Sequence, residues 1–371
     1  MSGKTGGSFG KILKYCATHG KANPKSMRMM LLENVLGLAK PPAGKSIHES
    51  NLAATLAMVN LFCDHTSFVF KLDPRLYAHP VSRPRLYMPS FKNSFLEKLQ
   101  FTPQQMYEAL KEYVGLFSTG YGMVPLGDML LPPTSPLVTK YMEFEDGKRE
   151  ADAAAAKASA VAPNKTASQM KWPKQHLAFS LGCDVDWSSK RLTITPELKK
   201  QFPGLCFVSP RELDILAVTG VAISENKLRL VDTSMTIGRG QRPSRRGTLQ
   251  KTVGCLTPGK RLWITTQNRF MVGAEALRFQ GINYDIVGKD NDLELLKYSS
   301  TLLRDLAGNA FHMGCAIAIL LAMYCSVGRA IVARDDLSVP IAVLRALGEA
   351  PMTVDDAEDA LDSIWAEEPS L

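Results

Sequence analysis

The chain has no Cys-x-x-Cys pair, no internal repeat and no apolar run long enough to span a bilayer. Each absence removes a class of protein. Seven cysteines stand at Cys16, Cys63, Cys183, Cys206, Cys255, Cys315 and Cys325. Their odd number and wide spacing give neither a disulfide framework nor a zinc pattern. Reduced thiols in an intracellular compartment are the expectation, with the nucleus as the site in a eukaryotic cell. Residues 1–10 are rich in Gly, Ser and Lys and lack the apolar centre of a signal peptide. The most apolar stretch, Cys315–Tyr324, is shorter than a membrane span. A buried helix is expected there, and no membrane partner.

What is present is ordinary globular material. Of 371 residues, 45% are hydrophobic and 22% charged, enough for two domains or for one large α/β domain with an insertion. The net charge of +8 suits a nucleic-acid partner. A plain Lys/Arg excess on a soluble surface accounts for it equally well.

Along the chain, residues 8–18 read as a short helix ended by Gly20 and Pro24. Met29-Met30-Leu31-Leu32, closing on Glu33-Asn34-Val35, reads as a buried parallel strand that delivers polar residues at its end. Residues 48–63 carry helical spacing. Thr66–Leu72 and Arg85–Pro89 are candidate strands, and 103–117 a helix. The alternation argues for α/β packing. Residues 150–168 are Ala-rich and of low complexity, as in a solvated helix or flexible insertion. Residues 299–325 read as a long helix broken at Gly308-Asn309, and the tail after 349 is acidic.

Three sites carry a resemblance. The first is Leu32-Glu33-Asn34-Val35 with Gly37-Leu38. The second is Pro80-Val81-Ser82-Arg83-Pro84-Arg85-Leu86-Tyr87. The third is Arg269-Phe270, Glu275 and Arg278-Phe279-Gln280-Gly281, followed by Ala307-Gly308-Asn309-Ala310-Phe311. In this order and spacing they resemble the later motifs of the cytosine-C5 DNA methyltransferases: Glu-Asn-Val, Pro-Gln-x-Arg-x-Arg, Arg-x-Leu-Thr-x-x-Glu, and the final Gly-Asn-Ala segment. Val81 replaces the family's glutamine.

The resemblance implies a doubly wound, Rossmann-like sheet, here partial, with an appended irregular β-rich target-recognition domain. It divides the chain into a partial catalytic domain (1–150), an Ala-rich linker (151–184), a recognition region (185–268), a return to the catalytic domain (269–330) and an acidic tail (331–371). It implies S-adenosylmethionine as methyl donor and double-stranded DNA with a cytosine target as partner. In such enzymes a cysteine thiolate adds to carbon 6 of a flipped cytosine and so activates carbon 5. By resemblance Glu33 is the acid at ring nitrogen 3. Arg85 lines the base pocket and reaches the base carbonyl, and Arg83 holds the pocket in place. Asn34, Asn309, Ala310 and Phe311 lie against the cofactor. Taken singly, each site has a plainer account: Glu33-Asn34 as a helix cap, Gly308-Asn309 as a left-handed turn, Glu275 as a surface carboxylate.

The family's Phe-x-Gly-x-Gly cofactor turn and its Pro-Cys-Gln nucleophile segment are absent from this sequence, before Glu33 and after Gly308 alike. Cys16, the one cysteine ahead of Glu33, reads as a core residue. Three expectations follow: a fragment of a longer enzyme, half of an enzyme completed by a second chain carrying the missing motifs, or a non-catalytic DNA-binding relative. An RNA cytosine methyltransferase shares the same chemistry. Within 185–268, Arg239, Arg242, Arg245, Arg246, Lys251, Lys260 and Arg261 fall within 23 positions among Gly and Pro. This suits a loop that approaches phosphates and guanine edges, or a solvated basic loop. Trp263 and Thr265 are candidates for packing or for groove contact.

Overall fold

The computed structural model describes residues 4–22, 27–41, 43–118, 122–145, 194–219, 226–234, 252–282 and 295–335. The Ala-rich linker, most of the acidic tail, and Arg239, Arg242, Arg245, Arg246 and Lys251 lie outside them.

Four strands make the main sheet: β1 (Met29–Val35), β2 (His65–Ser67), β3 (Phe70–Leu72) and β5 (Arg85–Lys92). β5 lies at the centre, and β1, β2 and β3 all pair with it antiparallel. This corrects the expectation of a parallel partner for β1. A run such as Met29–Leu32 specifies a strand but not its direction, which depends on where β5 returns. β1 pairs on one side alone among the described strands, so it is an edge strand, and its residues are half-buried rather than fully enclosed.

Alternation along β1 feeds two cores. Met29 and Leu31 pack into a large cluster with Phe68, Tyr87, Phe91, Met106, Leu110 and Ile319. Met30 and Leu32 pack on the opposite face with Leu13, Cys16, Val59 and Cys63. The first layer is built by α4 (Pro103–Phe117) and α10 (Met313–Asp335), the second by α1 (Lys4–Ala22) and α2 (Asn51–Cys63). Helices thus cover both faces, as in α/β folds, but the described pairings of this sheet are all antiparallel, where a doubly wound sheet is mostly parallel. Cys16 is a core residue, as expected, and burial raises its thiol pKa.

Local signals set the helix ends. Ser50 accepts from Ala53 N at 3.2 Å to start α2. Thr102 and Gln105 cap each other's backbone at the start of α4, with Pro103 in the first turn. α1 runs to Ala22, through the Gly20 expected to end it. α10 is longer than the Cys315–Tyr324 stretch. By length and composition it is apolar enough to cross a membrane, and half of its most apolar window is buried inside the protein.

The second half of the chain is mixed rather than β-rich where it is described. Residues 136–145 form α5, followed by α6 (Pro196–Gln201) and α7 (Pro210–Val218). β6 (Leu230–Asp232), β8 (Leu262–Ile264) and β9 (Arg269–Phe270) make an antiparallel sheet. Trp263 faces a core with Leu205, Ile215 and Phe270, while Leu262 and Ile264 face one shared with Val81, Phe279 and Leu303. Position 268/269 therefore falls inside the β8–β9 hairpin. Short strands β4 (Val81–Ser82) and β7 (Val253–Gly254) pair in parallel and join the two halves. α8 (Gly273–Phe279) and α9 (Ser300–Asn309) complete the architecture. α3 (Asn93–Lys98) follows β5 directly.

Candidate active site

Register brings Glu33 to Arg85. Glu33 pairs with Tyr87 across β1–β5, and Arg85, two residues away on β5, projects from the same face. The Arg85 Nε lies 3.1 Å from Glu33 Oε1, with both side chains about six-sevenths buried (13% and 15% exposed). That oxygen has ion-pair proximity but no aligned hydrogen bond, and it is shut off from solvent. Burial raises the Glu33 carboxyl above its ordinary pKa, and the Arg85 and Arg83 guanidiniums draw it part of the way back. A partly buried carboxyl whose pKa is raised by burial, set beside a cation, is a candidate general acid.

Arg83 does a different job. The β4–β7 register sets Val81 against Val253 and Ser82 against Gly254, so the next residues, Arg83 and Cys255, come side by side. Arg83 Nη1 donates to Leu256 O and reaches Cys255 Sγ at 3.3 Å. Its Nη2 donates to Gly308 O at 3.2 Å and Ala310 O at 3.3 Å. It is 5% exposed. One guanidinium thus ties the β7 loop to the end of α9. Arg85 Nη2 also meets Cys255 Sγ, at 3.1 Å.

The residues assigned to a cofactor are placed less uniformly. Asn34 Oδ1 accepts from Val35 N at 2.8 Å, and Asn309 Nδ2 donates to Asp305 O at 3.0 Å, so both side chains are used locally. Ala310 O is held by Arg83, and Phe311 is 48% exposed. Gly308 lies in the last turn of α9 and has no positive φ, which corrects the left-handed-turn reading. What it supplies is closeness. A Cβ there would come within 2.6 Å of Thr257 C and of Pro258 Cδ. Gly308→Ala is expected to cost about 1–3 kcal/mol by overpacking and to loosen Arg83. A melting temperature equal to wild type would show that the contact gives way without cost.

No family model matches the chain, and no curated protein does. Among solved structures it is similar to the Dnmt2 methyltransferase of S. pombe, at 13% identity and a TM-score of 0.36. The match covers 80% of this chain and 66% of that protein's length.

Other residues read from the sequence fall elsewhere. Arg261 is engaged inside the protein: its Nη1 lies 3.1 Å from Glu212 Oε1 and its guanidinium 4.0 Å from the centre of the Phe270 ring. Trp263 is a packing residue, 1% exposed and edge-on to Phe270, and Thr265 is fully buried. Glu275 is fully buried too, so the surface-carboxylate reading is corrected. A cavity of about 270 Å3, lined by Leu137, Tyr141, Val272, Leu295 and Leu303 with Lys140, shares no residue with the Glu33 cluster.

Two features had no motif to announce them. One is Cys255. The other is a pair of imidazoles, the half-buried His79 and the buried His312, with ring centroids 4.6 Å apart and planes at 79°. His312 is 1% exposed, and neither of its ring nitrogens has a hydrogen-bond partner.

Proposed function

We infer that the chain is the base-handling part of a cytosine-C5 methyltransferase acting on DNA. The observation that carries this reading is convergence. Glu33, the Arg83/Arg85 pair and the Gly308–Ala310 segment, remote in sequence, meet through direct contacts at 3.1 to 3.3 Å. The resemblance assigns all of them to one reaction, and unrelated surface residues have no reason to assemble in that way. The net charge of +8 favours an anionic partner.

In this reading the Glu33 carboxyl donates its proton to ring nitrogen 3 of an extruded cytosine. Arg85 turns from Glu33 toward the base carbonyl, and Arg83 holds the floor of the pocket. The described residues do not form a cradle for S-adenosylmethionine, since Asn34 and Asn309 spend their side chains on their own backbone. The segment that binds the cofactor is assigned to a complementing chain or stretch of sequence.

The test is discrimination between bases. Short single-stranded oligonucleotides, deoxy and ribo in parallel, would carry one cytosine or one uracil at the same position. Single strands remove the cost of extrusion. Wild type is expected to prefer cytosine by about 1–3 kcal/mol, as a well-placed polar pair does, and Arg85→Ala to lose that preference. Equal affinity for both bases would end this reading, and the sugar preferred would decide between DNA and RNA. Once the cofactor-binding segment is supplied, Glu33→Gln is expected to cut methyl transfer by about 10²–10⁴-fold while binding survives.

A further inference from the structure

We propose that the cleft between α5 and the segment leading into α9 binds a small aromatic anion, a one- or two-ring molecule that carries a phosphate or a carboxylate. The cleft holds about 270 Å3 and shares no residue with the Glu33 cluster, so the inference stands apart from the base-handling reading. Pockets for drug-sized ligands run to about 300–1,000 Å3. This one lies just below that range, which sets the size of its ligand.

Three observations carry it. The walls are apolar, from Leu137, Val272, Ala274 and Leu303, and two large aromatic rings border them: Phe144 is 55% exposed and Tyr298 51%. Single apolar side chains at a surface are ordinary. Two aromatic rings on one apolar cleft offer faces on which a flat ligand stacks. Positive charge lies at the same place. Lys140 Nζ donates to the Leu296 carbonyl, which carries its charge from α5 to the segment leading into α9. An ammonium has three donors, so the lysine can serve a ligand as well. Lys297, Ser299 and Ser300 also line the cleft, and the start of the ten-residue α9 adds partial positive charge. Lastly, Tyr141 lines the cleft, is 4% exposed, and its hydroxyl has no hydrogen-bond partner. Burial, and after it the Glu145 carboxylate, push that hydroxyl up to about 12, with Arg304 opposing. It therefore keeps its proton at neutral pH and is a donor without an acceptor, which a buried polar group rarely is.

The ligand's chemistry follows from these parts. Its ring lies on the apolar walls, bordered by Phe144 and Tyr298. Its acidic group stays at the mouth beside Lys140 and Lys297, and a polar atom of its body accepts from the Tyr141 hydroxyl. No bond is made or broken. An inorganic anion would leave the apolar walls wet, and an alkyl acid would leave the two aromatic faces unused. A nucleotide and an aryl carboxylic acid share the required features, an aromatic body with an anionic head.

The test is calorimetric titration of the full chain with two anions, adenosine monophosphate and naphthoate, beside their neutral counterparts, adenosine and naphthol. At least one anion is expected to bind saturably and about 10-fold tighter than its neutral counterpart, as a charge-assisted contact gives. Binding by adenosine monophosphate alone assigns a nucleotide, and binding by naphthoate alone an aryl acid; either supports the site. Phe144→Ala with Tyr298→Ala is expected to weaken binding by about 10-fold through lost stacking. Both rings are exposed, so the urea midpoint should stay at the wild-type value. Tyr141→Phe is expected to weaken binding by about 5-fold while the free chain is no less stable, because the change removes an unsatisfied hydroxyl. Arg85→Ala should leave the titration unchanged; loss of binding there would move the ligand to the Glu33 cluster and overturn the cleft. Saturable binding of neither anion up to about 1 mM overturns the proposal. So does equal affinity for charged and neutral probes, or affinity untouched by the Phe144 and Tyr298 changes.

Discussion

Glu275→Ala is expected to cost about 3–5 kcal/mol of stability, the range found when one partner of a buried ion pair is removed. Glu275 is fully buried and accepts four hydrogen bonds: from Leu131 N and Val272 N at 2.8 Å each, and from Arg269 Nη1 at 2.9 Å and Nη2 at 2.6 Å. The alanine variant leaves the Arg269 charge, 3% exposed, with only the Phe270 and Leu131 carbonyls. It also frees two backbone donors in a dry place, each costing about 1–3 kcal/mol if unsatisfied. The carboxylate joins the β9–α8 turn to the segment at Leu131, so unfolding should remain one cooperative event at lower urea. Arg269→Met with Glu275→Leu is expected to lose less than Glu275→Ala alone, since the double change leaves no uncompensated charge. A urea midpoint for Glu275→Ala within about 1 kcal/mol of wild type would refute this assignment of stability.

The second large effect is of pH. His312 is held neutral, its pKa down to about 3 from the usual 6.5. Burial is the main cause, helped by His79 and Arg83, with the Asp73 carboxylate opposing. Below pH 6.5 the unfolded chain binds a proton that the folded chain refuses. Stability is therefore full above 6.5 and falls steadily toward 3. At about 1.4 kcal/mol per pH unit, roughly 2 kcal/mol is gone by pH 5. His79, also lowered by burial, adds in the same direction. Glu33 works the other way, because its raised carboxyl favours the folded state once protonated. Urea midpoints at pH 7.5 and pH 5 in wild type and His312→Gln provide the check. The variant should show a flatter pH dependence, and an unchanged slope would assign the acid sensitivity elsewhere.

How far the sequence could be read depended on how local each signal is. The helix at 103–117 was fully legible, because Thr102, Pro103 and Gln105 form a cap and the apolar spacing follows. The strand ending in Glu33 was legible as a strand. Its direction was not, since β5 decides it from more than fifty residues away. Glu33 and Arg85 could be named as candidates, but their contact depends on a register that no local pattern encodes. Cys255 was invisible for the same reason. Nothing in Val253-Gly254-Cys255-Leu256 marks it, and it reaches Arg83 across 172 residues of chain through two short strands. Glu275 read easily as a surface carboxylate because sequence carries charge but not burial. His79 and His312 gave no signal, being isolated histidines in apolar surroundings.

β1 has both faces covered and one edge bare among the described strands. Along Met29–Val35 there is no lysine, no proline and no bulge, the devices by which sheets usually blunt such an edge. Its single charge, Glu33, is turned toward Arg85. Among the described residues, the outward-facing amides and carbonyls of β1 are therefore an open template for an extended segment. An exposed edge of this kind is the feature through which strands of separate molecules can pair, so charge introduced along these seven residues is expected to act on solubility more than charge placed elsewhere.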